Sequence, residues 1–470
     1  MDGPQENAAL EMAAKTWTGG GEKYGGGTTW DAMTYDPELD LLYVGTAGSF
    51  PSSHKERSPG GGDNLFLNSI VAIKARTGEY VWHFQTAPED NYDFNANFHI
   101  ILTDLQVEGK NRKVLMTAPK NGYFYTLDRT NGKPVSIGAL TRRINWASSL
   151  DPKTGRPKWD PKMLPENLAA GACFTMFPGG WGAHNWHAMS YSPQQRLVYL
   201  PVNNLGRRIC KSNSGEETSE DVLPSEDAAF GKGALVAWDP LTAKARWRLP
   251  LITPYNGGTL VTGGGLVFEG TGDGRVLAVG ADTGKVLWSQ KVGSAIQGPP
   301  VSVVLDGEQY VMVPAGESSM MSTYFPYLTG TKETRGSPAR MLAYKLDAKG
   351  QLPKFQQLTR AVPKPPELET TAAMIKRGEQ LYNSQHCAYC HGHDADNGEL
   401  RSIPNLRYTS AERHAIWDQI VIRGILRTTG MLPFPMPVED SRAIQAYVIS
   451  KQREAYEQQA KRGAGGSGEK

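Results

Sequence analysis

The chain has 470 residues, with 50 Lys and Arg against 48 Asp and Glu and a formal charge of +2. That length exceeds what one hydrophobic core usually serves, so at least two domains are expected. The charge balance gives no reason to expect nucleic acid or an anionic membrane as partner, and no run of about 18 apolar residues is present to span a bilayer.

The 52 Gly, 31 Pro, 11 Trp and 19 Tyr favour a turn-rich β architecture. From the N-terminus, Met1-Asp-Gly-Pro-Gln is polar and lacks the apolar core of a signal peptide. One phrase then recurs, an apolar strand followed by a turn and an aromatic. It runs from Val71 to Trp82, more weakly from Tyr123 to Lys133, again from Val236 to Trp247, and from Val276 to Trp288. Trp247 and Trp288 lie 41 residues apart, close to the roughly 40–50 residues of a propeller blade. Each copy reads as a hairpin, around a Thr-Gly or Asn-Gly turn in three of the four and Thr242-Ala243 in the other, which cannot bury its own faces. Stacking such sheets closes the core and hides their edges, so a β-propeller is favoured over a β-sandwich.

Propeller-like text stops near Lys345, so the first domain is placed at 1–350. A Pro- and Gln-bearing stretch makes 351–370 a linker. Helical periodicity begins near Thr371. Ile375 to Ser384 forms an amphipathic face with Gly378 and Tyr382 one turn apart, and 439–457 offers the partner helix through Tyr447 and Val448. The remainder, 457–470, reads as a disordered tail.

Between those helices, Cys387-Ala-Tyr-Cys390-His391 has the form of a c-type haem attachment site. Two thiols form thioethers with the vinyl groups and the adjacent His ligates iron. A zinc knuckle would need a second ligand pair. No Cys follows Cys390, and His393 does not complete the usual set. Residues 371–456 resemble a small class I cytochrome c domain. In that family a Pro-Asn-Leu run orients the ligand His through the Pro carbonyl, and Pro404-Asn405-Leu406 stands in its place. The family's Gly-Met-x-x-Phe is matched at Gly430-Met431, which makes Met431 the expected second iron ligand, with Met436 the competitor.

The larger domain resembles the quinohaemoprotein alcohol dehydrogenases, a pyrroloquinoline quinone propeller fused to cytochrome c, over roughly residues 5–456. That family's propeller has eight blades; here it is expected to be incomplete. The resemblance implies that Trp30, after Gly25-Gly-Gly-Thr-Thr, carries the flat quinone, and that Lys120, in Ala118-Pro-Lys-Asn-Gly122, donates to its oxygens. Asn185 and Trp186, in Gly182-Ala-His-Asn-Trp-His187, and Asn256, in Pro254-Tyr-Asn-Gly-Gly258, fall in cofactor-contact loops. Asp93, in Asp90-Asn-Tyr-Asp-Phe94, stands for the catalytic carboxylate and for a calcium ligand. Asn95 lies where lanthanide-using relatives carry Asp, which leaves calcium as the implied ion.

Three departures accompany the resemblance. Gly48, within Gly45-Thr-Ala-Gly-Ser49, replaces the family's calcium-ligand Asn. Tyr92 and Tyr255 replace Trp. The chain also begins inside the family's propeller, after a vicinal disulfide, a Glu metal ligand and the quinone's Arg and Thr contacts. The expectation is therefore a fragment of a periplasmic enzyme that oxidises an alcohol by hydride transfer to the quinone. Electrons would then pass through haem c to a small cytochrome, a blue copper protein or a terminal oxidase. Cys173 and Cys210 could pair in an oxidising compartment, and their distance is left open. The alternative is an electron-transfer cytochrome carried on a propeller remnant that no longer holds quinone.

Overall fold

The computed structural model describes residues 6–19, 26–31, 33–215, 217–222, 232–316, 339–353, 360–385, 387–397 and 403–465. Gly25, much of the linker, the side chain of His393 and residues 466–470 fall outside them.

Each repeated hairpin forms the outer half of an antiparallel sheet, and five such sheets follow one another along the chain. Blade I comprises Met33–Asp36, Leu41–Gly45, Ser69–Lys74 and Tyr80–Gln85. Blade II comprises Ile101–Val107, Lys110–Thr117, Tyr123–Asp128 and Pro134–Ala139. Blade III comprises Ser190–Ser192, Leu197–Asn203, Gly233–Asp239 and Lys244–Leu251. Blade IV comprises Thr259–Val261, Leu266–Gly270, Arg275–Gly280 and Val286–Lys291. Blade V has three described strands, Val301–Leu305, Glu308–Ala315 and Arg340–Lys345.

Side chains alternate across a strand, so each sheet offers one set to the blade before it and another to the blade after it. In blade II, Leu115, Tyr125 and Leu127 pack with Tyr43, Ile70 and Phe84 of blade I. Val114, Met116 and Phe124 pack instead with Val198, Leu200 and Trp238 of blade III. Leu197, Tyr199 and Leu235 meet Val267 and Leu277 of blade IV, whose Val276 meets Val311 and Leu342 of blade V. Burying each such side chain stabilises the fold by about 1.5–3 kcal/mol. This serial face-to-face packing is that of a β-propeller.

The repeats also grip one another. The Trp82 indole of blade I donates to the Arg129 carbonyl of blade II at 3.2 Å and lies against Gly132, where a Cβ would stand 2.5 Å from the ring. The Trp247 indole of blade III likewise donates to the Ala281 carbonyl of blade IV at 2.8 Å and covers Gly284. Both glycines hold positive φ, +73° and +69°, so these turns need Gly for the backbone as well as for the contact. The aromatic that ends one copy of the repeat thus docks on the Gly turn of the next blade.

Two small sheets, drawn from the segment between blades II and III and from an insertion within blade III, cover a further cluster containing Phe94, Trp146 and Met176. There Cys173 and Cys210 stand opposite each other in register and form a disulfide, with a Cα–Cα distance of 4.1 Å.

The C-terminal residues build a separate all-helical cluster from Tyr382, Ala388, Trp417, Ile444, Tyr447 and Val448. The Ala372–Ser384 helix crosses Val438–Gly465 closely at Gly378, where a Cβ would fall 1.9 Å from the Ala443 carbonyl oxygen. The last helix runs to Gly465, which corrects the expectation of a disordered tail from 457. Its extra turns bind the linker. The Val362 amide donates to Gln459 Oε1 at 2.8 Å, and Gln459 Nε2 donates to the Arg360 carbonyl at 2.9 Å. Gln452 and Arg453 donate to the carbonyls of Pro363 and Leu368.

Candidate functional site

Backbone bonds knit one end of the blades into a belt of loops. The Ala47 amide donates to Thr28 O, Ala96 to Thr46 O, Lys120 to Asn95 O, Ala183 to Lys120 O, and Thr259 to Ala188 O. This belt carries Trp30, Gly48, Asp93, Asn95, Lys120, Asn185, Trp186 and Asn256, gathered from segments up to 226 residues apart in sequence.

Asp93 sits in the left-handed region at φ +61°, a conformation in which Asp is tolerated but not favoured. Asp90 holds it there. Buried itself, Asp90 accepts the Tyr92 amide on Oδ1 at 2.9 Å and the Phe94 amide on Oδ2 at 3.0 Å, bracketing Asp93. Arg57, 1% exposed, ties this loop to the rest. It donates to the Asp90 carbonyl at 2.8 Å, to those of Pro51 and Ser52, and to Asn64. Burial lowers its guanidinium pKa. The Asp93 side chain remains half exposed, and Lys120 Nζ, almost fully buried, meets its Oδ2 at 2.5 Å. A carboxylate is thereby held by one cation while its other oxygen stays open.

Trp30 is 50% exposed and is met edge-on by buried Phe98, ring centroids 5.5 Å apart. An indole face is left open to a flat ligand. The Asn side chains serve their own loops. Asn185 Nδ2 donates to Trp181 O at 3.0 Å and its Oδ1 accepts the Trp186 amide at 2.9 Å. Asn256 Oδ1 accepts from Gly272 N and Thr253 Oγ1, and its Nδ2 donates to Thr253 O. Trp186 stacks on His187 at 4.2 Å, and His187 meets Tyr255 edge to face at 4.4 Å. Burial pushes the Tyr255 hydroxyl well up and His187 well down.

In the helical cluster, Cys387 and Cys390 are free thiols; burial pushes Cys387 up to about 11. His391 Nδ1 donates to the Pro404 carbonyl at 2.8 Å. Burial lowers its pKa, which favours the neutral imidazole and leaves Nε2 as the lone-pair nitrogen a metal needs. Met431, Phe434 and Met436 pack against the same cluster. These groups fit a covalently held haem. No set of three His, Cys, Asp or Glu able to hold a metal occurs among the described residues.

Sequence reasoning missed Asp90 and Arg57. The spacing of Asp90 from Tyr92 and Phe94 is that of a side chain capping its own turn and could have been found. Arg57 gains its Asp90 partner only through tertiary structure.

Residues 4–137 match the family model described as the glucose/ethanol/alcohol dehydrogenase beta-propeller domain, and 231–420 match one described as outer membrane protein assembly factor BamB. Quinohemoprotein alcohol dehydrogenase ADH IIB of Pseudomonas putida is 42% identical, over 96% of this chain and 66% of its own length. Lupanine 17-hydroxylase [cytochrome c] of a Pseudomonas species is 41% identical, over 97% and 66%. The solved quinohemoprotein alcohol dehydrogenase ADHIIG of Pseudomonas putida HK5 superposes with a TM-score of 0.83 at 38% identity, covering 97% of this chain and 68% of that one. The chain spans about two thirds of the length of the curated relatives it matches.

Proposed function

Because the chain belongs to the quinohaemoprotein alcohol dehydrogenases, we propose that it takes part in oxidising an alcohol to an aldehyde or ketone at the loop belt and passes the electrons to a haem c in its helical domain. Pyrroloquinoline quinone accepts hydride when bound, and haem c carries single electrons. A calcium ion, when bound, polarises a carbonyl as a Lewis acid.

The residues divide the work. Trp30 offers the face on which a flat ring rests. Lys120 holds Asp93 Oδ2 and so aims the free Oδ1 at the substrate. Asp93 removes the hydroxyl proton as hydride leaves the adjoining carbon, a role that suits a positioned carboxylate. Lys120 would also donate to a quinone oxygen. Trp186 and the Asn185 and Asn256 loops wall the site. In the helical domain Cys387 and Cys390 would carry the porphyrin, and His391 and Met431 would ligate its iron, Met431 as the soft ligand that raises the potential. We place the protein in the periplasm, where c-type haem is attached. A small soluble electron carrier or an oxidase is its acceptor.

The observation that carries this reading is the half-exposed Asp93 carboxylate paired with buried Lys120, on the same loop belt as half-exposed Trp30. The test is reconstitution with pyrroloquinoline quinone and calcium, followed by addition of a primary alcohol while haem absorbance is recorded. Alcohol-driven haem reduction supports the proposal. A haem that dithionite reduces but alcohol does not supports the electron-transfer alternative.

A further inference from the structure

Tyr92 and Phe94 flank Asp93, and both are buried in a cluster with Trp146, Phe174, Met176 and Ile209. The Phe94 and Trp146 rings lie 5.1 Å apart, and Tyr92 meets Trp159 at 6.0 Å. The Trp146 indole donates to the carbonyl of Asn121, the neighbour of Lys120, at 2.8 Å. The Trp159 indole donates to the carbonyl of Pro88, two residues before Asp90, at 2.9 Å. Both members of the Asp93–Lys120 pair thus lean on this one cluster. Its outer wall is the inserted sheet. Phe174 and Ile209 are register partners there, and the adjoining pair is Cys173 and Cys210. Side chains alternate across a strand, so Phe174 and Ile209 face the cluster while the disulfide lies on the other side, where Cys173 is exposed. The Cys173–Met176 strand has four residues and forms the edge of its sheet, a marginal arrangement without a further restraint. Asn145, next to Trp146, donates to the Thr175 carbonyl of that strand at 2.9 Å, so movement of the edge strand is felt at Trp146.

We propose that the Cys173–Cys210 link is a redox-sensitive clamp that positions Asp93 for proton abstraction. With the link closed, Phe174 and Ile209 are held against the cluster, and the Tyr92 and Phe94 amides stay on the two carboxylate oxygens of Asp90. Asp93 lies at φ +61°, a setting that persists only while its surroundings enforce it. Opening the link lets the edge strand fray, loosens the packing on Tyr92 and Phe94, and frees Asp93 to leave the left-handed region. A small dithiol opens it. One thiolate attacks the exposed Cys173 Sγ and expels the Cys210 thiolate; the second closes a ring on the first and expels Cys173. Two electrons pass to the link, the two cysteines take up the protons that the dithiol gave up, and the reagent leaves as a cyclic disulfide. Cys173, Cys210 and Phe174 are positioning residues, since they act on the reaction through Asp93. The purpose of the clamp rests on the dehydrogenase reading, whereas its grip on the Asp93 loop does not.

The test takes the haem-loaded chain, opens the link with dithiothreitol, caps the thiols with iodoacetamide, removes both reagents and returns the haem to its ferric state. Amide exchange read by mass spectrometry over Tyr92 to Phe94 should quicken about tenfold on opening. The Arg275–Gly280 strand of blade IV should stay protected in both states. Phe174→Ala with the link intact should quicken exchange at the same amides. After pyrroloquinoline quinone and calcium are added, the turnover number with a primary alcohol should fall about 10–100-fold on opening, with KM little changed. Protein left uncapped and reoxidised in air should recover both properties, which separates a clamp from irreversible misfolding. Exchange at Tyr92 to Phe94 that ignores the state of the link overturns the proposal, and so does a turnover number that survives its opening. Exchange that quickens in a chain whose haem alcohol reduces in neither state supports the clamp and overturns the dehydrogenase reading alone.

Discussion

Asp93 owes its position to neighbours rather than to its own preferences. A left-handed φ at a non-Gly residue costs of order 1 kcal/mol, and such strain persists only where surrounding bonds over-determine it. The two amides accepted by Asp90 and the Arg57 bonds do this here. Asp93→Asn preserves shape and removes the base, so alcohol-driven haem reduction should fall about 10²–10⁴-fold while quinone binding, followed by fluorescence quenching, is kept. Turnover near wild type would remove Asp93 from the chemistry. A second residue reports on pH. His184 is fully buried with Nδ1 donating to the Pro201 carbonyl at 2.7 Å, and burial lowers its pKa to about 4. The unfolded chain binds this proton near pH 6.5, so between 6.5 and about 4 the unfolded state holds more protons. Stability should be complete above 6.5 and fall with pH by up to about 3 kcal/mol. Urea midpoints from pH 7.5 to 4.5 would show the slope, and His184→Gln should flatten it. Asp93, Lys120 and Trp30 were legible because their local motifs resemble a family's. Arg57 was not, since nothing in its neighbourhood along the chain announces a bond to the Asp90 carbonyl 33 residues on.

Among elements, the recurring hairpins were readable and their purpose was not. The turn and the terminal Trp recur together because each needs its counterpart one blade away. Trp82 covers Gly132 and Trp247 covers Gly284, a pairing that no single window of sequence contains. Gly132→Ala should destabilise the propeller by about 2–4 kcal/mol, from backbone strain at φ +73° and from the clash with Trp82. Denaturant unfolding read by Trp fluorescence would measure it, and a change below about 0.5 kcal/mol would mean that Trp82 moves aside freely. Strand periodicity was blurred for a related reason. Leu197–Asn203 is buried at every position, since both of its faces meet other blades, and an alternating pattern has no solvent side to record. The length of the last helix was misread because its extra turns are polar. Gln459 earns its helical place by binding linker backbone, not by apolar burial.

At the scale of the molecule, the Cys173–Cys210 link joins opposed strands of an inserted sheet and closes a loop of 37 residues. Sequence left this pairing open, because the distance between two isolated thiols is a property of the fold. Changing both to Ser should cost about 3 kcal/mol, seen as a lower midpoint in non-reducing melts. Equal midpoints would mean that the inserted sheet holds its shape unaided. The helical domain, with its own core around Tyr382 and Tyr447, should give a second transition that shifts when His391 is replaced.

The polar clasp on the last helix has a mechanical result. Gln459, Gln452 and Arg453 fasten the backbone from Arg360 to Leu368, while Leu352 packs against the cluster shared by blades IV and V. Chain length alone then limits the distance between those two anchors to about 28 Å. A tether that short keeps the two bodies at an effective concentration of order millimolar for each other, so contacts between them outcompete contacts with a second copy in dilute solution.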